Sequence, residues 1–185
     1  MNAVQIQIHL AHRRNSNPRA ANGSLQWLAT QGVPQISFDV SLLSGTVSDP
    51  HIRDLQEANR VMANARLYAE DQLKFIGTDL SKACFIGCSD ASFNKLPGGR
   101  SQSGQMVMIG DAGLAACETG TFALIDWRST KQKRACRSTL GAETLALSDT
   151  ADRLDFCRGL MFEIMNPGAD VRRSEEEGHA SALRS

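Results

Sequence analysis

The chain has 185 residues, enough for one domain of ordinary size or a small domain with an extension. Its hydrophobic fraction of 42% permits a core, but aromatics make up only 5%, so that core rests on Leu, Ile, Val, Ala and Met. Lys and Arg number 20, as do Asp and Glu, which excludes a whole-molecule field drawing the protein to a polyanion; any nucleic-acid contact must be local.

Residues 1–22 are expected to be irregular. The opening MNAVQIQIHLAHRRN lacks the basic start, long apolar centre and small-residue cleavage site of a secretory signal, and NSNPRAAN is polar, carries Pro18 and has no periodicity. Leu25, Trp27 and Leu28 then predict a short helix over 23–31, closed by Gly32 and Pro34. Ile36, Val40 and Leu43 follow at i, i+4, i+7 and predict a second helix over 34–44. Asp49 and Pro50 look like the N-cap and first residue of a third, running over 51–73 with Ile52, Leu55, Ala58, Val61 or Met62, Ala65 and Tyr68 or Ala69 as its apolar stripe. A helical segment, 23–75, is therefore expected to precede an α/β segment, 76–165.

The α/β segment opens with ACFIGCSDASF, which reads as a strand and loop ending in a Pro97-Gly98-Gly99 turn. Residues 103–110 and 120–129 read as two further strands, and three strands without helical patterns between them indicate an antiparallel meander. Ser138 or Thr139 then caps a long helix through Met165, with Leu140, Leu147, Ala151, Leu154, Cys157 or Arg158, Met161 and Ile164 or Met165 as its expected buried face. Asn166-Pro167-Gly168 ends it, and the charged, aperiodic residues 166–185 read as a disordered tail.

No apolar run is long enough to span a bilayer, so a soluble protein is expected. Five cysteines without a signal peptide point to reduced thiols in the cytoplasm or nucleus. Cys84 and Cys88 share a strand face too widely spaced for easy zinc chelation. Arg128, Lys131, Lys133, Arg134 and Arg137 crowd into one stretch, the best local candidate for phosphate contact, although such charge runs are ordinarily solvated loops.

Four motifs occur in a fixed order: SDASF around Asp90, Arg100 to Gly104 (RSQSG), Trp127 to Gln132 (WRSTKQ), and Ser138 to Glu143 (STLGAE). Together they resemble the RNase H domain that ends the polyprotein of copia-type retrotransposons. The stretch GSLQWLATQGVPQISFDVSLLS followed by DLQEANRV is similar to the helical connection between the reverse transcriptase and that RNase H domain. The similarity covers residues 23–165, with one departure: Val33-Pro34-Gln35-Ile36 stands where the family usually carries Arg-Pro-Asp-Ile.

The resemblance implies an incomplete RNase H-like fold, three antiparallel strands then a long helix, preceded by the helical connection. It also implies hydrolysis of the RNA strand of an RNA–DNA hybrid with two Mg²⁺ ions about 4 Å apart, hard cations that need clustered carboxylate oxygens. Asp90 is the implied bridging ligand and Glu143 the implied ligand on one metal. The family completes its site with two further aspartates, which this chain does not provide; Asp170 lacks an apolar strand to support it. Asp149, Asp152 and Asp155 read as a solvent face. Ser89 and Ser92 have no histidine nearby to activate them, and His9, His12, His51 and His179 lie at a helix start or in irregular ends. The expectation is a truncated fragment, inactive alone, whose missing strands would leave a sheet edge open to self-association. The rival expectations are a non-catalytic nucleic-acid-binding or oligomerising remnant, and a pseudogene product.

Overall fold

The computed structural model describes residues 18–96, 98–116 and 118–168: N-terminal helices, a three-stranded antiparallel sheet and a long last helix. The irregular start as far as residue 17, Pro97, Cys117, Asp170, His9, His12, His179 and most of the predicted tail lie outside the described residues.

Helix α1 spans Pro18–Gln31, so the expected irregular N-terminus is helical from Pro18 onward. Proline's fixed φ suits the first helical position, where its missing N–H would be unpaired anyway. Residues 34–44 form two pieces, a 3-10 turn Pro34–Ile36 and helix α2, Ser37–Ser44, instead of one helix. Helix α3 spans Ile52–Leu67. Its N-cap is His51 and not Asp49, because the Asp54 carboxylate, three residues on, accepts the His51 backbone N–H at 2.8 Å. It ends before the predicted Leu73: Ala69 N–H bonds Arg66 O and Asp71 N–H bonds Tyr68 O, tightening the last turn, where Glu70 and Asp71 oppose the helix dipole. Leu25, Leu28, Val33, Ile36, Val40, Leu43, Ala58, Val61, Met62 and Ala65 make one buried cluster with Tyr68 and Ala69 against it. Ile52, predicted for this stripe, is exposed at the helix start.

Strands β1 (Cys84–Leu96), β2 (Arg100–Gly110) and β3 (Phe122–Lys131) pair in the order β1-β2-β3, the predicted meander. Gly98 and Gly99, both with positive φ, turn the first hairpin, and Asn94 at φ 54° takes up a register shift before it. On β3 the register skips Ile125, since Val107 faces Asp126 while Met108 faces Leu124.

Helix α4 spans Thr139–Met165, with Ser138 as the N-cap whose hydroxyl accepts the Gly141 N–H at 3.1 Å. It lies over β1 and β2, and the face it buries is Ala142, Ala146 and Thr150. Of the apolar stripe expected there, Leu140 and Leu147 are open, 76% and 61% exposed, while Leu154, Cys157 and Met161 are half-buried. Small residues won because Gly87 and Ala91 on β1 let the helix backbone come close, and a leucine there would hold it away; Ala91, Ala142 and Ala146 form the contact. The other sheet face meets the N-terminal helices: Trp127 Nε1–H donates to Ala29 O at 2.6 Å and Gln102 Nε2 donates to Ser41 Oγ at 2.9 Å. Among the described residues no helix is long and apolar enough to cross a membrane.

Candidate functional site

Asp90 stands in mid-β1, opposite Gly104 of β2, which in turn is opposite Ser129 of β3. It is exposed, and space is open beside it, because a Cβ built on Gly104 would meet nothing within 4 Å. Its neighbour Ala91 is buried against α4, so strand alternation turns Asp90 to the face that the N-terminal helices share.

Glu143 is half-buried in α4, one residue after Ala142. Its turn is held firmly. Gln132, buried just past β3, donates from Nε2 to Ala142 O and to Ser103 Oγ, both at 2.8 Å, while the Cys136 thiol donates to Gln132 Oε1 at 3.2 Å. The Ala91–Ala142 contact thus has Asp90 next to one partner and Glu143 next to the other. Asp90 and α4 thus lie on opposite faces of the sheet.

Among the described residues no group of three or more His, Cys, Asp or Glu converges to hold a metal. Mg²⁺ fills much of its shell with water and substrate phosphates, but a pair of ions needs carboxylates that converge, and Asp90 is turned to the sheet face away from α4 and Glu143. That donor set does not fit a resident two-metal centre.

The basic residues are gathered more closely. Arg128, Lys131, Lys133 and Arg134 are exposed and line one open groove of about 800 Å³ along the outer side of β3. Arg137, also exposed, is not among the groove's lining residues. One wall is α1 and α2, with Gln26, Thr30, Ser37 and Ser41; the other is α4, with Ser148, Asp149 and Asp152. Asp149, Asp152 and Asp155 are exposed, as their reading as a solvent face requires.

Arg153 also lines this groove, a contribution the sequence pattern did not reveal. Its guanidinium forks onto both oxygens of Asp126, which alternation from Trp127 places on the α4 face. That hydrogen bonding, with the carboxylate charge, raises the Arg153 pKa against the opposing cost of burial. The pair joins β3 to α4 across 27 residues, a partnership that neither segment's own pattern foretells. Gln102 was missed too: it is buried, and its Oε1 has no hydrogen-bond partner among the described residues. No protein family, curated protein or solved structure matches the chain.

Proposed function

We propose that this chain is a retroelement-derived relative of RNase H that binds nucleic acid and, on its own, does not cut it. The observation that carries this reading is the order of elements with their acids: a β1-β2-β3 meander leading straight into α4, with Asp90 on β1 and Glu143 on α4 flanking the Ala91–Ala142 contact. This is the order in which the copia-type RNase H domain carries its first two carboxylates. The family's substrate, an RNA–DNA hybrid, is the proposed partner. Cleavage is not proposed, because among the described residues no cluster of carboxylates converges to fix two Mg²⁺ ions side by side. Asp90 and Glu143 are proposed as the retained half of that site.

The basic groove favours binding without catalysis as the working activity. Arg128, Lys131, Lys133 and Arg134 on one open surface supply point charges and guanidinium forks for phosphates, and Arg137 follows in the same connection to α4. The test is the full chain with a labelled RNA–DNA hybrid in Mg²⁺ buffer. We expect binding that weakens steeply as salt rises and no nick above background. Asp90→Asn leaves binding unchanged, while reversing Lys131 and Lys133 to Glu weakens it and lowers its salt dependence. Mg²⁺-dependent nicking that vanishes in Asp90→Asn would show a working nuclease. Absence of binding at low salt would overturn the reading altogether.

A further inference from the structure

Helix α4 carries two apolar stripes, and the sheet covers one of them and only part of the other. The sheet takes Ala142, Ala146 and Thr150, as described. The second repeats every seven residues, Leu140, Leu147, Leu154 and Met161, the spacing of a seam between paired helices. It lies on the β1 side of α4. Leu154 reaches to 3.6 Å from a Cβ built on Gly87 of β1, whereas Arg153 on the other flank pairs with Asp126 of β3. Beneath this seam runs the outer edge of β1, thirteen residues long, where Gly87, Cys88, Asp90 and Ser92 are exposed and only Asp90 and Lys95 are charged.

We infer that the occupant of this surface is a second copy of the chain, joined by a two-fold axis perpendicular to the sheet. The seam is complementary to itself. Reversed about the point between Thr150 and Ala151, Leu140 meets Met161, Leu147 meets Leu154 and, on the same side of the helix, Glu143 meets Arg158. The two apolar pairings are symmetric and the one charged pairing is of opposite sign, the condition for an isologous contact. Among the described residues Arg158 pairs with the exposed Asp155 at 3.3 Å, a weak surface pair that the exchange gives up at little cost.

The same axis serves the strand. Gly87 lies directly under Thr150, since a Cβ there would stand 3.0 Å from Thr150 Cγ2. Antiparallel pairing of β1 with its copy about Gly87 sets Cys84 opposite Asp90 and Ile86 opposite Cys88, so no carboxylate faces its own copy. It also puts both α4 helices on one side of a continuous six-stranded sheet. A helix seated over the β1–β2 pair stands about half a strand spacing inside the edge, which separates the two axes by about 10 Å, the distance at which helices pack. A glycine at the axis leaves room for that approach.

Sedimentation equilibrium of the full chain across a range of concentrations tests the dimer. A reversible monomer–dimer equilibrium is expected, shifted to monomer in Leu147→Lys. Glu143→Arg and Arg158→Glu each weaken the dimer about tenfold, and the two together restore it, which a folding defect would not do. A monomer at every concentration, open-ended assembly, or single reversals that the double variant fails to rescue would overturn the proposal. It does not rest on the nucleic-acid reading, and hybrid binding without dimerisation would sink it alone.

Discussion

Trp127 hands its indole N–H to the carbonyl of Ala29 at 2.6 Å, and the last strand of the sheet is thereby bonded to the last turns of α1. Ala29 O also accepts the Ser37 hydroxyl at 3.4 Å, so one carbonyl near the end of α1 holds both β3 and the start of α2. A second bond, Gln102 Nε2 to Ser41 Oγ, acts beside it. The sheet therefore shares a wall with the N-terminal helices, and the groove between them depends on that alignment.

Replacing Trp127 by Phe keeps most of the ring and removes the donor. Stability is expected to fall by about 1 kcal/mol, the net worth of one such bond. Urea unfolding followed by far-ultraviolet dichroism should show a lower midpoint with an unchanged slope.

Gln132 makes three hydrogen bonds from a buried position between β3 and α4. Gln132→Ala strands the Ser103 hydroxyl, which is itself buried, and loosens the turn that holds Glu143. A loss of about 2 kcal/mol is expected, larger than for Trp127→Phe, because buried groups left without partners keep their desolvation cost. Comparison of the two urea midpoints checks the order.

The Asp126–Arg153 fork is partly open to solvent, with side chains 25% and 32% exposed, so screening limits its worth. A double-mutant cycle with Asp126→Asn and Arg153→Met should return a coupling of about 1 kcal/mol, shrinking in high salt. A coupling of zero would show the fork to be a geometric coincidence.

Burial pushes the Cys157 thiol up from its ordinary range; the nearby Asp126 carboxylate adds to this and Arg153 opposes it. At neutral pH a thiol reagent should therefore modify the exposed Cys88 before Cys157. The raised value also has a sign for stability. The folded state favours the protonated thiol, so its contribution is intact below the ordinary thiol range and lost as pH rises through the raised folded value. Cys157→Ala should accordingly lose less stability than the parent between neutral and alkaline pH, as read from urea midpoints.

Element types were legible in the chain, and so was the Ser138 cap, because alternation and capping are local signals. Boundaries were less so. Pro18 resembles a breaker unless its place at the first helical position is weighed, and Asp49 outranks His51 as a cap until the Asp54 carboxylate is brought back onto the His51 N–H. The greater miss concerned α4. Its leucines make the stronger apolar pattern, yet helix-to-sheet distance is decided by the smallest residues on both sides, here Gly87 and Ala91 beneath Ala142 and Ala146. Asp90 and Glu143 could be named from their motifs, but which sheet face each commands required the pairing register.

The buried apolar side chains are divided very unevenly. The α1–α3 cluster holds Leu25, Leu28, Ile36, Val40, Leu43, Val61 and Met62, whereas the cluster between sheet and α4 is three alanines with Phe93 and Cys136 against them, and Val107 is the one large side chain fully buried in the described sheet. Each large side chain withdrawn from water is worth about 2 kcal/mol and an alanine much less. The two halves should consequently open in sequence. Amide protons of α4 and β1 exchange first, by partial unfolding that leaves the N-terminal helices closed, and the chain can lose its carboxylate-bearing elements while its firmest part stays folded.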